Sequence, residues 1–502
     1  MSFTISSLPE KTKPRADAFI LALFSGETPE RHPFSAQLSP SSKRQLRRYS
    51  KTAFTGAKDE VDFVVFASGT PPAAFLVGLG KRSDWTRRRQ HLFFRRVVAL
   101  ARSQKMTSVA VHLPSVGLDG EPDADTVRAA AENLWLAEYR YQPYKRKPDE
   151  RRKLATVDLA VQNESAVRTA LATAKTVAKY ANCCRDLANT PGGDMTPSLL
   201  ASKAKEIVAK LPITFRALDK RAIEKECMGA ILGVARGSSE DPRFLIMEYR
   251  GGKRTDAPVV FVGKGVTFDS GGINLKPAEG LKEMHMDMSG GAAVVCAVAA
   301  IAERKLPLNV IGLVPAVENM PSGSGYRPGD ILKSRSGQTI EIGNTDAEGR
   351  VILADALDYA LHYKPRLIVD LATLTGAAVV ALGFHYNALF ASDDRLGRML
   401  QASGDRAGDP VWPLPLGEEY AAEVKGTIGD VSNVGKHRYG GASHGAVFLQ
   451  QFVKKTPWAH VDLAMMTSTD GQHLAPGASG TGVRLLVAFA EDLIRSDSAR
   501  HA

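Results

Sequence analysis

Cysteine is scarce in this chain. Only four occur among 502 residues, at positions 183, 184, 227 and 296, and none has CxxC spacing. So few in so long a chain argue against a disulfide framework and point to a reducing, cytoplasmic compartment. Long apolar runs are also missing. The run AFILALF from Ala18 is too short to span a bilayer, and Lys and Pro precede it rather than a signal-peptide pattern. No membrane partner is expected. Internal repeats and low-complexity segments are absent too, which leaves a globular reading.

The rest of the composition suits that reading, with 44% apolar and 24% charged residues. The length exceeds one ordinary core, so two domains are expected. The net charge of +11 is uneven: residues 1–150 hold 24 Lys and Arg against 16 Asp and Glu, the remainder 41 against 38. Basic clusters occur at KRQLRR from Lys43, KRSDWTRRR from Lys81, FFRR ending at Arg96 and YKRKPDERRK from Tyr144. Such clusters serve a solvated face or nucleic acid, so DNA stands as a candidate partner of the N-terminal part.

Strand-like runs (VDFVVFAS, AAFLVGLG, SVAVHLP, TVDLAV) alternate with helical patterns over residues 1–163, as in a small α/β domain. An amphipathic stretch over 164–187 predicts a connecting helix that stops at NTPGGD. Over 188–502 the α/β alternation resumes with more apolar runs: RFLIMEYRG, PVVFVGKG, LNVIGLVPA, RLIVDLATLTGA and WAHVDLAMM. Strands this apolar suit the centre of a mixed sheet covered by helices on both faces. The expected class is α/β, with a smaller N-terminal and a larger C-terminal domain.

Ligands of open α/β sheets gather beyond the carboxyl ends of the strands. The polar residues there are Lys264, Asp269 and Lys276 in KGVTFDSGGINLKP, Asp287 in MHMDMSGGAA, and Asp346, Glu348 and Arg350 in NTDAEGR. Several carboxylates above one sheet repel unless cations neutralise them, and divalent metals favour such oxygen-rich sites. Other readings stand beside this one. Asp269 suits a turn, Asp287 a helix N-cap, and Asp346 and Glu348 a first helical turn. The lysines also suit a phosphate or acidic ligand.

VGKGVTFDSGGINLKP, MDMSGGAAV, RPGDI and NTDAEGRVILADAL resemble, in order and spacing, the signatures of the leucine aminopeptidase (cytosol aminopeptidase) family. The resemblance runs from about Asp186 to the TGVRLLVAF segment. It implies a macro-like N-terminal domain and a catalytic domain that removes N-terminal residues from peptides with two divalent metals. Carried over by position, Lys264, Asp269, Asp287 and Glu348 hold one metal. Asp269, Asp346 and Glu348 hold the other, so Asp269 and Glu348 bridge. The metals are Mn or Zn, with Mg or Co as alternatives. Lys276 and Arg350 are the implied catalytic pair, with bicarbonate at Arg350. Met284, Thr373, Leu374, Gly376 and Ala464 are the implied substrate pocket, with leucine or another apolar residue preferred. A homohexamer is implied as well. Ser443, His444, Met465 and Met466 depart from the family pattern, and neither His285 nor His444 belongs to the implied ligand set.

Overall fold

The computed structural model describes residues 3–50, 54–121, 123–147 and 154–501. It divides into two compact units, Met1–Lys179 with Thr469–Ala475 and Tyr180–Ser468 with Pro476–Ala502. The amphipathic stretch forms one helix, Glu164–Asn189, two residues longer than the expected 164–187. The boundary between the units falls inside it.

In the first unit the run AFILALF is the fully buried strand β2 (Ala18–Phe24). It joins β1 (Thr4–Pro9), β3 (Val61–Val65), β4 (Ala73–Gly80), β5 (Ser108–His112) and β6 (Thr156–Val161) in a sheet of order β1-β6-β5-β2-β4-β3. All neighbours are parallel except β3 and β4. The helices Arg87–Ser103 and Asp123–Glu138 bury Phe93, Phe94, Val97, Val98 and Leu134 in its core. Much of the basic charge of this unit is already matched. Arg87 pairs with Glu121, Arg89 with Asp84 and Arg96 with Asp59, while the Arg95 guanidinium donates to Asn133.

The five apolar runs of the second unit become β8 (Arg243–Arg250), β9 (Val259–Gly263), β11 (Asn309–Asn319), β14 (Leu367–Ala372) and β18 (Trp458–Asp462). With β7 (Ile213–Leu218), β10 (Gly265–Asp269), β15 (Asn387–Ala391) and β16 (Val411–Pro413) they make a nine-stranded sheet. Its order is β16-β15-β18-β14-β9-β11-β8-β7, with β10 on β11. The strands β18, β14, β9 and β11 are mutually parallel, β15 runs against β18 but parallel to β16, and β8 runs against both β11 and β7, which gives the mixed sheet expected. A small sheet of β12 (Ile331–Lys333), β13 (Thr339–Glu341) and β17 (Val431–Ser432) stands apart. Every residue of β9, β14 and β18 is buried, the burial that continuous apolar runs demand.

Glycines let the helix Ser289–Glu303 lie directly on the sheet. A Cβ at Gly263 would stand 2.4 Å from the Gly290 carbonyl oxygen, and one at Gly290 2.1 Å from that of Leu371. This close approach brings Asp287, two residues ahead of the helix, to Lys264 and Thr373, which follow β9 and β14.

Candidate metal and catalytic site

Lys264 lies between β9 and β10. Its amide donates to the Leu371 carbonyl at 3.0 Å and its carbonyl accepts from Gly291 N at 2.7 Å. The side chain is thus aimed from a clamped backbone. Its Nζ stands 2.7 Å from Asp287 Oδ2, 2.7 Å from Glu348 Oε1 and 2.9 Å from the Thr373 carbonyl. Gly349 makes the room, since a Cβ there would meet Lys264 Nζ at 2.7 Å. Asp269 closes β10 and accepts from Gly271 N at 2.9 Å and Asn319 Nδ2 at 2.8 Å. Beyond it the chain reverses through Gly271 (φ +89) and Gly272 (φ +66), a region that favours glycine. The reversal returns Lys276 Nζ to within 2.8 Å of Asp269 Oδ2 and against Asp346 Oδ1.

NTDAEGR is fastened to that reversal by Thr345. Its hydroxyl donates to the Gly271 carbonyl at 2.6 Å, and its amide to Asn274 Oδ1 at 2.9 Å. Asn319 and the Tyr326 hydroxyl both donate to the Thr345 carbonyl. Glu348 opens the helix Glu348–Ala360. Asp287 is not the helix N-cap that the sequence allowed: Met288 is the N-cap residue of the next helix, and Asp287 Oδ1 instead accepts from Thr373 Oγ1 at 2.7 Å.

Asp269, Asp346 and Glu348 each bring one carboxylate oxygen within 4.8 Å of the others. With Asp287 they make four acids against the ammoniums of Lys264 and Lys276. The formal charge of that set is −2. Glu348 Oε2 is buried without a hydrogen-bond donor among the described residues. Glu348 Oε1, Asp287 Oδ2 and Asp346 Oδ1 lie near ammonium nitrogens but lack hydrogen-bond geometry with them. Burial, reinforced by the Asp269 charge, pushes the Glu348 pKa up to about 8. Burial pushes Asp287 up to about 6, although Lys264 opposes it. Burial alone would lower Lys264, but Asp287 and Glu348 outweigh it and raise its pKa. A buried pocket short of both donors and positive charge fits divalent cations, whose ligands are carboxylate oxygens and, for the softer metals, nitrogen.

Arg350 is buried in the first turns of the same helix. Its Nη1 donates to the Asn433 carbonyl at 2.9 Å, while its Nε is without a hydrogen-bond partner among the described residues. A Cβ at Gly445 would meet Leu374 Cδ2 at 2.9 Å and Arg350 Nη2 at 3.5 Å, so Leu374 and the guanidinium are neighbours across this glycine. Leu374 N and Thr375 N both donate to Asp462 Oδ1. Ala464 is buried two residues beyond Asp462. Gly376 is exposed at the start of the helix Gly376–Leu382, and a Cβ there would meet nothing within 4 Å. Met284 is partly buried in the turn before Asp287.

His444 is committed elsewhere, with Nε2 2.8 Å from Glu423 Oε2. His285 is half-buried and contributes no atom to the group formed by Asp269, Asp346 and Glu348. Asn319, Asn433 and Asp462 support the site and were not anticipated from sequence. Asn319 and Asp462 do end strands at the carboxyl edge, the same signal that marked the acids, but Asn433 has no such mark.

Residues 182–487 match the cytosol aminopeptidase family, catalytic domain, and residues 20–148 match the N-terminal domain of the same family. A probable cytosol aminopeptidase of Roseiflexus castenholzii is 44% identical over 452 residues, which cover 87% of this chain and 90% of that protein. Another, of Syntrophotalea carbinolica, is 40% identical over 88% of this chain and 90% of that protein. The solved structure of the bottromycin maturation enzyme BotP in complex with Mn superposes with a TM-score of 0.82 at 33% identity, over 95% of this chain and 99% of BotP. With these matches running through both units, and with an acid cluster fit for cations at the carboxyl edge of the larger sheet, the chain belongs to the cytosol aminopeptidase family of metal-dependent peptidases.

Proposed function

We propose that the chain is a dimetal aminopeptidase that removes apolar residues, leucine above all, from the N-termini of peptides. The observation that carries the reading is the buried, donor-poor cluster of four acids and two lysines. Lys264, Asp269, Asp287 and Glu348 would hold one cation, and Asp269, Asp346 and Glu348 the other. When bound, such cations supply Lewis acidity and bring the pKa of water toward neutrality. Mn²⁺ is the favoured identity, by analogy with BotP, with Zn²⁺ next.

The remaining roles fall to the chain itself. Lys276 keeps its ammonium, because Asp269 and Glu348 more than offset its burial. It can meet negative charge developing on the scissile carbonyl oxygen. Arg350 presents a guanidinium edge suited to a planar anion such as bicarbonate, which would take the proton released by water. Thr373 spends its hydroxyl on Asp287, so it offers the substrate mainly a methyl group. With Leu374, Met284, buried Ala464 and the open space at Gly376, that favours an apolar side chain.

A homohexamer and a cytoplasmic location accompany this reading, supported by the family and by four free cysteines. DNA binding is a secondary proposal, supported by the exposed Arg44 and Arg47 on the helix Pro40–Ser50. It would weaken steeply with salt, and absence of any DNA shift at low salt removes it. The main test compares a leucyl peptide with its N-acetylated form, with chelator and with Mn²⁺ or Zn²⁺ restored. Cleavage of the free peptide alone, lost on chelation, is expected. Equal rates on both peptides would overturn the exopeptidase reading.

A further inference from the structure

Asp370 on β14 and His460 on β18 are register partners across two parallel strands. Asp370 Oδ1 lies 2.6 Å from His460 Nδ1, and its Oδ2 accepts the Trp458 indole N–H at 2.6 Å. All three side chains are wholly buried. The imidazole stacks on Phe390 at 5.9 Å and on Trp458 at 6.3 Å, which fixes its plane, and its Nε2 has no hydrogen-bond partner among the described residues. A buried ion pair is weak evidence of stabilisation, since packed apolar side chains of equal volume often do as well. Strand pairing does not require this one. Its use lies two residues further along β18.

Alternate side chains of a strand share a face, so Asp462 follows His460 toward the carboxyl edge. Asp462 Oδ1 accepts from Leu374 N at 2.9 Å and Thr375 N at 3.2 Å, and its Oδ2 accepts from Thr375 Oγ1 at 2.6 Å. An ionised carboxylate offers both oxygens as acceptors, whereas a protonated one gives up part of that capacity. Burial raises the Asp462 pKa, and His460 is the first group to oppose it. Burial works to lower the His460 pKa, but Asp370 and Asp462 outweigh it and raise it. The charged groups facing His460 are Asp370 on β14, Asp462 on its own strand and Arg350 on the helix Glu348–Ala360.

We propose that His460, held by Asp370, is a positioning residue for Asp462, which stands two residues along the same strand face and fastens the Thr373–Thr375 loop over the site. A positive charge on the paired imidazole would favour the carboxylate form of Asp462 that the loop requires. That loop is where position matters. The Thr373 carbonyl accepts from Lys264 Nζ at 2.9 Å, and its hydroxyl donates to Asp287 at 2.7 Å. The dyad therefore acts on the reaction through Asp462 and the loop, without touching substrate. This inference rests on the aminopeptidase reading.

His460→Asn tests it, because the asparagine Nδ2 takes the place of the ring Nδ1 and still donates to Asp370 but carries no charge. On leucine p-nitroanilide kcat should fall roughly 10- to 100-fold, the scale of a small misplacement of reacting groups. The acidic limb of its pH profile should move upward as well. Asp462→Asn should give a similar loss, and the double variant should fall little further, since the two act in one chain. A His460→Asn protein with wild-type kcat and pH profile, even if less heat-stable, overturns the proposal, as do independent losses in the double variant. Should His460→Asn fail to fold, ¹⁵N-histidine NMR of the wild type decides: both ring nitrogens of His460 protonated at pH 7 supports the proposal, and one bare nitrogen overturns it. Wild-type turnover of the same substrate separates failure of this inference from failure of the aminopeptidase reading.

Discussion

Gly349→Ala adds one methyl group to NTDAEGR and tests what Lys264 does. The new Cβ would lie 2.7 Å from both Nζ and Cε of Lys264 and 2.8 Å from its Cδ. Ordinary contact needs about 3.5 Å, so the lysine must retreat by roughly 0.8 Å. It has little room to do so, being buried with Asp287 and Glu348 each 2.7 Å from its Nζ. Overpacking of this kind costs about 1–3 kcal/mol, while alanine in place of a helical glycine returns about 0.5–1 kcal/mol. Global stability should therefore drop by no more than about 2.5 kcal/mol. Metal affinity should suffer more, because Lys264 is aimed by its neighbours and loses that aim. Disturbing ligand orientation typically costs about 10- to 100-fold in affinity. The assay is metal per chain after dialysis against graded Mn²⁺, read beside kcat and a melting curve. Gly193→Ala is the control, since a Cβ there would meet nothing within 4 Å. If Gly349→Ala kept both metals at wild-type affinity, Lys264 would not be a ligand and the reasoning would fail.

Three further outcomes are expected. Glu348→Ala, at a fully buried acid placed to bridge, should empty both metal positions, whereas Asp346→Ala, whose side chain is 33% exposed, should keep one; metal counting on folded protein that found the reverse would exchange the two roles. Lys264→Arg keeps a permanent cation that cannot ligate and should lose metal, while Lys276→Arg should keep metal and lose turnover by less than the ~10²–10³-fold of a deleted oxyanion contact; bound metal and kcat measured together separate them. In the N-terminal unit, burial and the nearby His112 push the His32 pKa down to about 3. The unfolded chain then takes up a proton near pH 6.5 that the folded chain refuses, so stability is lost as pH falls from 6.5 toward 3. The loss from this group is about 2 kcal/mol by pH 5. Replacing His32 with Gln should flatten the acid side of the unfolding curve, and an unchanged pH dependence in denaturant melts would refute the assignment.

Sequence alone determined the central strands, because β9, β14 and β18 are covered on both faces and so must be apolar throughout. It also marked the carboxyl-edge acids and the lysines, since polar residues that end such strands stand where a sheet can present them. It gave less notice of β1, β7 and β10. β7 lies at the sheet edge with no buried residue, and β10 is a five-residue strand that begins at a glycine. Asp287 was open to reading as a helix cap, and only the fold turned its carboxylate to Thr373 and Lys264. Asn433 was silent, and Asn319 and Asp462 were marked only as strand ends, for the same reason: each acts on partners more than 25 residues away, and local pattern carries no record of what the chain brings back. Thr345 shows the division most plainly. Its neighbours in NTDAEGR identify a site in one dimension, but its bonds to Gly271 and Asn274 exist only once β10 and β11 lie side by side. Spacing along a chain fixes which chemical groups are available, and packing of distant segments fixes the distances between them, on which charge and coordination depend.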